Sequence, residues 1–163
     1  MPPGDKILYF TAGGRRFALP VAAISEIREA GEVTSVPGAP GVIAGLIDMR
    51  GRVLTLMDLA AIFGFESDPA AGRLAVQLAE PLEHLALLVP AAVQELRTET
   101  VAGAPETDAA AGEDASGTDG ADGRPTLGRE IVLPDGAPAL LLDIHALAAH
   151  CTRRVRERFR VAV

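Results

Sequence analysis

The sequence contains no tryptophan, one tyrosine and five phenylalanines, so its 48% of apolar residues is almost entirely aliphatic. A chain of 163 residues with this content can bury one domain-sized core. The single cysteine, Cys151, excludes an internal disulfide and suits a reducing compartment. No apolar run approaches the roughly 20 residues of a membrane span, and the segment MPPGDKILYF lacks the features of a signal peptide. These absences predict a cytoplasmic protein without direct membrane insertion.

Residues that commonly carry catalysis or bind metals are also scarce. There is one lysine, and no glycine-rich segment has the form of a phosphate-binding loop. The spacing of His145, His150 and Cys151 does not place three ligands on one helix face, which disfavours a zinc site. Asp58 and Asp143 each precede a helical pattern, which favours helix capping over a pair of catalytic carboxylates. The sequence predicts no enzyme activity, no metal and no cofactor.

Charge is unevenly distributed along the chain. The formal net charge of −7 argues against nucleic-acid binding. Residues 102–126 carry six acids and one base, and the low-complexity composition around them predicts a disordered acidic insert over 102–127. Residues 153–160 carry five arginines and one glutamate, within a C-terminal helix predicted over 143–160. These arginines fit a solvated helix face, a contact with an acidic partner or with the insert, or, least well, a membrane surface.

Three further patterns predict local structure. Strand-like runs flank Gly13-Gly14, a pair suited to a tight turn, and predict a hairpin over residues 7–19. The segment AISEIREA has the alternation of a half-exposed strand. Asp58 and Gly64 bound a short apolar segment in the way that an N-cap and a C-terminal glycine bound a helix.

The chain contains an internal repeat. Segment 17–27 (FALPVAAISEI) aligns with 87–96 (LLVPAAVQEL), and 51–63 (GRVLTLMDLAAIF) aligns with 136–148 (GAPALLLDIHALA). The acidic insert lies between the two matched segments of the second half. The pattern indicates two copies of one β unit of roughly 70 residues, the size of a small closed barrel.

The segment Arg50-Gly51-Arg52 interrupts an apolar run and allows two interpretations. In the first, Gly51 supplies a hairpin turn and the arginines are solvated. In the second, Arg50 is a fixed donor beside an apolar surface, as at many protein interfaces. Gly51 matches Gly136 in the repeat, whereas Arg50 matches Asp135. We therefore expect Gly51 to be a structural turn residue and Arg50 to be the better candidate for function.

The segments FALPVAAISEI, VPGAPGVIAG and LIDMRGRVLTLMDL, with their spacing, resemble the CheW-like domain family of bacterial chemotaxis. The resemblance covers about residues 6–150, apart from the insert. It implies an all-β fold of two interlocked five-stranded SH3-like β-barrels, with short helical turns and a C-terminal helix. It also implies a single domain over 1–163, with subdomain 1 at about 15–72 and subdomain 2 at about 73–142 together with the N-terminal strand region.

The family resemblance also implies partners. Its members are adaptors that bind the regulatory domain of a CheA-type histidine kinase and the cytoplasmic tip of methyl-accepting chemoreceptors, in arrays at the membrane. The receptor-facing positions match Ile24, Glu26, Gly45, Arg50 and Leu74. A divergent scaffold of a gliding- or pili-type pathway, binding one of these partners, is the alternative. A small-ligand sensor that uses the groove between the barrels is an alternative of another class.

Overall fold

The computed structural model describes residues 5–67, 72–91, 96–101 and 126–160. Within them lie ten strands, two α-helices and one 3₁₀ turn. The elements are β1 (Asp5–Ala12), β2 (Arg15–Pro20), a 3₁₀ turn (Val21–Ala23), β3 (Ile24–Glu29), β4 (Ile43–Met49), β5 (Arg52–Asp58), α1 (Leu59–Phe63), β6 (Leu74–Leu78), β7 (Leu85–Val89), β8 (Arg97–Val101), β9 (Gly128–Val132), β10 (Pro138–Leu142) and α2 (Ile144–Arg160).

The strands form two five-stranded sheets. The first sheet has the order β8-β1-β2-β10-β9, and the second has the order β3-β6-β7-β5-β4. The mostly β architecture, with α2 as the longer helix, confirms the predicted fold class. The proposed subdomain limits do not follow the sheets, because β2 lies in the first sheet while β6 and β7 lie in the second. The chain changes sheet between β2 and β3 and again between β7 and β8, rather than near residues 15 and 72.

The repeat seen in the sequence explains this exchange. In each sheet two consecutive antiparallel strands of one copy, β1-β2 or β6-β7, lie between strands of the other copy. The contacts between copies are parallel for β2 with β10 and β5 with β7, and antiparallel for β1 with β8 and β3 with β6. Each copy therefore contributes strands to both sheets, and the two sheets are interlocked.

Local signals in the sequence place the turns and helix starts where they were expected. Gly13 and Gly14 have positive φ of 59° and 74° in the turn between β1 and β2. The Asp58 carboxylate accepts hydrogen bonds from the backbone N–H groups of Ala60 and Ala61, which caps α1. Asp143 caps α2 in the same way, by accepting the N–H of Ala146 at 3.0 Å.

The core joins both sheets to the start of α2. Its largest cluster includes Phe10 and Phe17 from the first sheet, Leu87 from the second, and Leu147 from α2. The predicted insert lies outside the described residues except at its end. There Leu127 packs against this cluster and its carbonyl accepts the N–H of Asp143 at 3.0 Å, so residue 127 belongs to the fold rather than to a disordered segment.

Candidate protein-binding surface

Strand β3 carries two of the expected site residues, and a β-bulge decides where they face. Ile24 pairs with Leu78 and Glu26 with Gln77, which leaves one extra residue between them on β3. Because of this bulge, Ile24 and Ile27 both pack against the main core although they are three residues apart. Ile24 is therefore half-buried, while Glu26 lies on the opposite face of the strand.

Gly45 lies at a second bulge and has a structural role. Its φ is 148°, and a β-carbon built on it would lie 2.3 Å from the carbonyl oxygen of Thr34. That oxygen accepts the N–H of Leu46 at 2.8 Å, and the Leu46 carbonyl accepts the N–H of Thr34 at 2.9 Å. This bridge fastens the segment after β3 onto β4, the opposite edge strand of the second sheet. The absence of a side chain at Gly45 is what allows this close approach.

The turn between β4 and β5 presents Arg50 at a local conformational cost. Arg50 and Gly51 have positive φ of 54° and 80°, as in a type I′ hairpin turn. The N–H of Gly51 donates to the Asp48 carboxylate at 2.8 Å, which holds the turn. Arg50 is the only non-glycine residue with positive φ in the described part of the chain. Such a backbone favours Gly or Asn over Arg by about 1 kcal/mol.

An ion pair joins this turn to β3. The Nε atom of Arg50 lies 3.1 Å from a carboxylate oxygen of Glu26, and the Nε atom of Arg28 lies 3.8 Å from the same oxygen. The Arg50 side chain remains 76% exposed, whereas that of Glu26 is 25% exposed. The pair therefore orients the arginine while leaving it accessible to a partner.

Leu74 does not belong to this surface. Its side chain is 1% exposed in the main core, and it begins β6, opposite Glu29 of β3. A leucine buried in this way offers no surface to a receptor, so the fold does not support a direct role for Leu74 in such a contact. The sequence signal for this burial was the nearly continuous apolar run of β6, in which all five residues are buried.

Val53 is a candidate that the sequence analysis missed. It is 66% exposed on β5, directly after Arg52, and pairs with Asp48 of β4. The alternation in β5 contained this information, because inward-facing Leu54 and Leu56 require Val53 to face outward. We define the hairpin surface as Glu26, Asp48, Arg50 and Val53.

The equivalent turn of the first sheet carries the opposite charge. Gly136, the counterpart of Gly51, has φ of 84°. Beside it, Asp135 receives a 2.7 Å hydrogen bond from Arg16 of β2. That hydrogen bond, together with one from the backbone N–H of Ala137, lowers the pKa of the Asp135 carboxyl. The two halves thus present different charges at matching turns.

The remaining features offer little for catalysis. Among the described residues, no group of three or more His, Cys, Asp or Glu side chains could hold a metal ion, and no helix is long and apolar enough to cross a membrane. Burial raises the pKa of the Cys151 thiol to about 11, so it is protonated at neutral pH and is a poor nucleophile. Burial also lowers the pKa of His150, aided by Arg153.

The buried thiol gives a simple test of the packing of α2. The thiol pKa rises from 9.0 to about 11, which lowers the thiolate fraction about 100-fold. We expect Ellman's reagent to label Cys151 in the native protein at pH 8 at least ~100-fold more slowly than in urea. Similar rates in the two states would show that α2 is not packed on the core.

A groove of about 610 Å³ lies between α1 and α2. Its floor is apolar, from Val42, Ile62, Phe63, Leu127 and Leu140, and its basic side chains are Arg15, His150 and Arg154. The arginines have other contacts, since Arg15 lies 5.9 Å from the ring centre of Phe17 and Arg154 lies 3.6 Å from Glu157. The groove is open and shows no convergent set of polar groups that selects a small ligand.

Comparison with known proteins agrees with this architecture. The family model described as "CheW-like domain" matches residues 6–151. The chain is 28% identical over 95 residues to chemotaxis protein CheW of Rhizobium meliloti, covering 58% of this chain and 61% of that protein. It is 32% identical over 80 residues to protein PilI of Pseudomonas aeruginosa, covering 49% and 45% respectively. The matched segments thus span less than two thirds of these relatives.

A solved structure shows the same fold. The crystal structure of the scaffolding protein TtCheW from Thermoanaerobacter tengcongensis superposes with a TM-score of 0.62. The superposition covers 88% of this chain and 92% of that chain, at 18% sequence identity. At this identity the likeness establishes the shared fold.

Proposed function

The chain belongs to the CheW-like domain family, and on that basis we propose that it is a signalling adaptor that couples chemoreceptors to a CheA-type histidine kinase. Its action is binding rather than catalysis. We place it in the cytoplasm, recruited to receptor arrays at the membrane. The names of its relatives, a chemotaxis protein and a scaffolding protein, support an adaptor role.

The observation that carries the proposal is the exposed Arg50 at the β4-β5 turn. A charged residue occupies a backbone position that favours glycine, and Glu26 orients its guanidinium. Folding alone gives no reason for arginine there, because Gly or Asn would fit the turn better. Strained residues of this kind often lie at functional sites. Exposed Val53 beside it supplies the apolar contact that arginine usually accompanies at interfaces.

We propose that the hairpin surface faces the receptor. Ile24 and Gly45 hold this surface in place. Ile24 packs β3 on the core, and Gly45 allows the segment at Thr34 to approach β4.

A second partner requires a different surface. The turn at Asp135 carries an acidic residue where the matching turn carries Arg50, so it can bind a partner of different charge. The first sheet also exposes a large apolar residue of its own, Val132 on β9. We propose that the kinase contact lies on this side.

Coupling through a rigid adaptor has a thermodynamic requirement. The adaptor changes kinase activity only if its affinity for the receptor or the kinase differs between their signalling states. The described scaffold contains two sheets that share one core, which suits an element that holds two partners at a fixed spacing.

The similarity to PilI supports one narrower alternative. In that alternative, the chain serves a pili-type chemosensory pathway and binds only one of the two partners. Measuring the binding of the kinase domain and of the receptor tip separately distinguishes the two versions of the proposal.

The test uses the full chain with two purified probes, a CheA-type regulatory domain and a chemoreceptor cytoplasmic tip from the same cell. We expect each probe to bind in biolayer interferometry, and we expect bound kinase domain not to block the receptor tip. Binding of one probe alone would favour the divergent scaffold. Binding of neither, together with a thermal shift caused by a metabolite, would favour a ligand sensor.

A further inference from the structure

The second half of α2 extends beyond the part of the helix that packs on the core. Leu147, Ala148 and Cys151 are buried, whereas every residue from Thr152 to Arg160 is exposed except half-buried Val155. One hydrogen bond ties this half to described residues outside α2, from the Nε atom of Arg158 to the carbonyl of Gly38 at 3.1 Å. We define the arginine face as residues 152–160.

The arginine face is basic on an acidic protein. It carries five arginines against one glutamate, while the whole chain has a net charge of −7. The glutamate, Glu157, lies 3.6 Å from Arg154. Arg153, Arg156 and Arg160 recur at helical spacing and line one surface of α2. No ion pair involves these three within the described residues.

An apolar stripe continues the core-facing side of α2 toward its end, and its last member lies next to Arg156 around the helix. Ala148 and Cys151 lie on the core-facing side of α2, and Val155 and Phe159 continue that line at spacings of four residues. Phe159 is 51% exposed, so the stripe extends past the surface that covers its first half. Solvation accounts for arginines on an open helix, but it does not account for a phenylalanine continuing the buried side.

We propose that the arginine face is a docking surface for an acidic amphipathic helix of a partner protein. The partner's apolar side chains would pack on exposed Phe159, and its carboxylates would pair with Arg156 and Arg160, which lie nearest to Phe159 in the row of arginines. Charge complementarity favours an acidic occupant, because the same helix of a second copy would bring arginines against arginines. The inference concerns a surface separate from the hairpin surface and does not depend on the proposed adaptor role.

The experiment measures fluorescence anisotropy of a labelled 18-residue helical peptide with leucines on one side and glutamates on the other. The full chain is compared with Arg156→Glu/Arg160→Glu, and with the matched control Arg73→Glu/Arg129→Glu, which makes the same charge change elsewhere. We expect the helix variant to bind at least ~10-fold more weakly and the control variant to change by less than ~2-fold. Phe159→Ala should weaken binding about 5-fold while leaving the circular dichroism spectrum unchanged.

Four results would overturn the proposal. The first is equal weakening in the helix and control variants, which would indicate net charge alone. The second is equally tight binding of a scrambled peptide with no apolar side. The third is a several-fold gain in affinity on deleting residues 104–123, which would assign the surface to the chain's own acidic segment. The fourth is tighter binding to phosphatidylserine vesicles than to the peptide, which would indicate a membrane contact.

Discussion

Replacing Gly45 by alanine is expected to destabilise the protein by about 3 kcal/mol or more. The new β-carbon would lie 2.3 Å from the Thr34 carbonyl oxygen, which is backbone and cannot move without breaking the bridge to Leu46. The φ of 148° adds strain that only glycine avoids. The steric clash and the backbone strain each cost about 1–3 kcal/mol. The free energy of unfolding, measured by urea titration with circular dichroism, should fall by the sum.

Gly41 is the matched control for this change. It lies four residues earlier, has no left-handed φ, and has no atom within 4 Å of a built β-carbon. Gly41→Ala should therefore change stability by less than ~1 kcal/mol in either direction. If the two alanine variants unfold at the same urea concentration, Gly45 does not close the second sheet in the way described.

Replacing Arg50 by glutamate is expected to abolish most receptor binding without unfolding the protein. Glutamate keeps a β-carbon, so the backbone at φ 54° carries the same strain as before. The lost ion pair with Glu26 lies at the surface, where such pairs contribute about 0–1 kcal/mol. The melting temperature should fall by only about 2–4 °C. The affinity for the receptor tip should fall at least ~10-fold, because an interfacial arginine becomes a repelling carboxylate.

Arg52→Glu is the control on the same hairpin. Arg52 is exposed, makes no ion pair within the described residues, and undergoes the same change of charge. We expect it to weaken receptor binding by no more than ~3-fold. The double variant Glu26→Arg/Arg50→Glu restores the ion pair with its charges exchanged. It should recover the melting temperature but not the binding, whereas recovery of both would make Arg50 a purely structural residue.

The five residues that the family resemblance placed at the receptor contact do not all lie on the surface. Five positions were expected to face a receptor, and the fold gives them different roles. Arg50 is exposed and Glu26 orients it, Gly45 permits a close backbone contact, Ile24 packs on the core and Leu74 is buried within it. A residue can recur in a family because it shapes the surface as well as because it touches a partner. The exposed fraction of each side chain separates these cases.

The sequence by itself determined the features that depend on neighbours along the chain. The Gly13-Gly14 turn, the Asp58 and Asp143 caps and the Gly51 turn all follow from local hydrogen bonds and backbone angles. Each involves residues within a few positions of one another, so the amino-acid types alone carry the information.

Only the tertiary structure decided which strands share a sheet. The exchange of strands between the two repeats depends on hydrogen bonds between segments that are far apart in the chain, such as β2 with β10. Alternation along a strand shows that one side is buried, but it does not show which sheet covers it. For the same reason the sequence could not place Glu26 beside Arg50, bury Leu74 or bring Thr34 against Gly45. The hairpin surface therefore exists only once the second sheet closes.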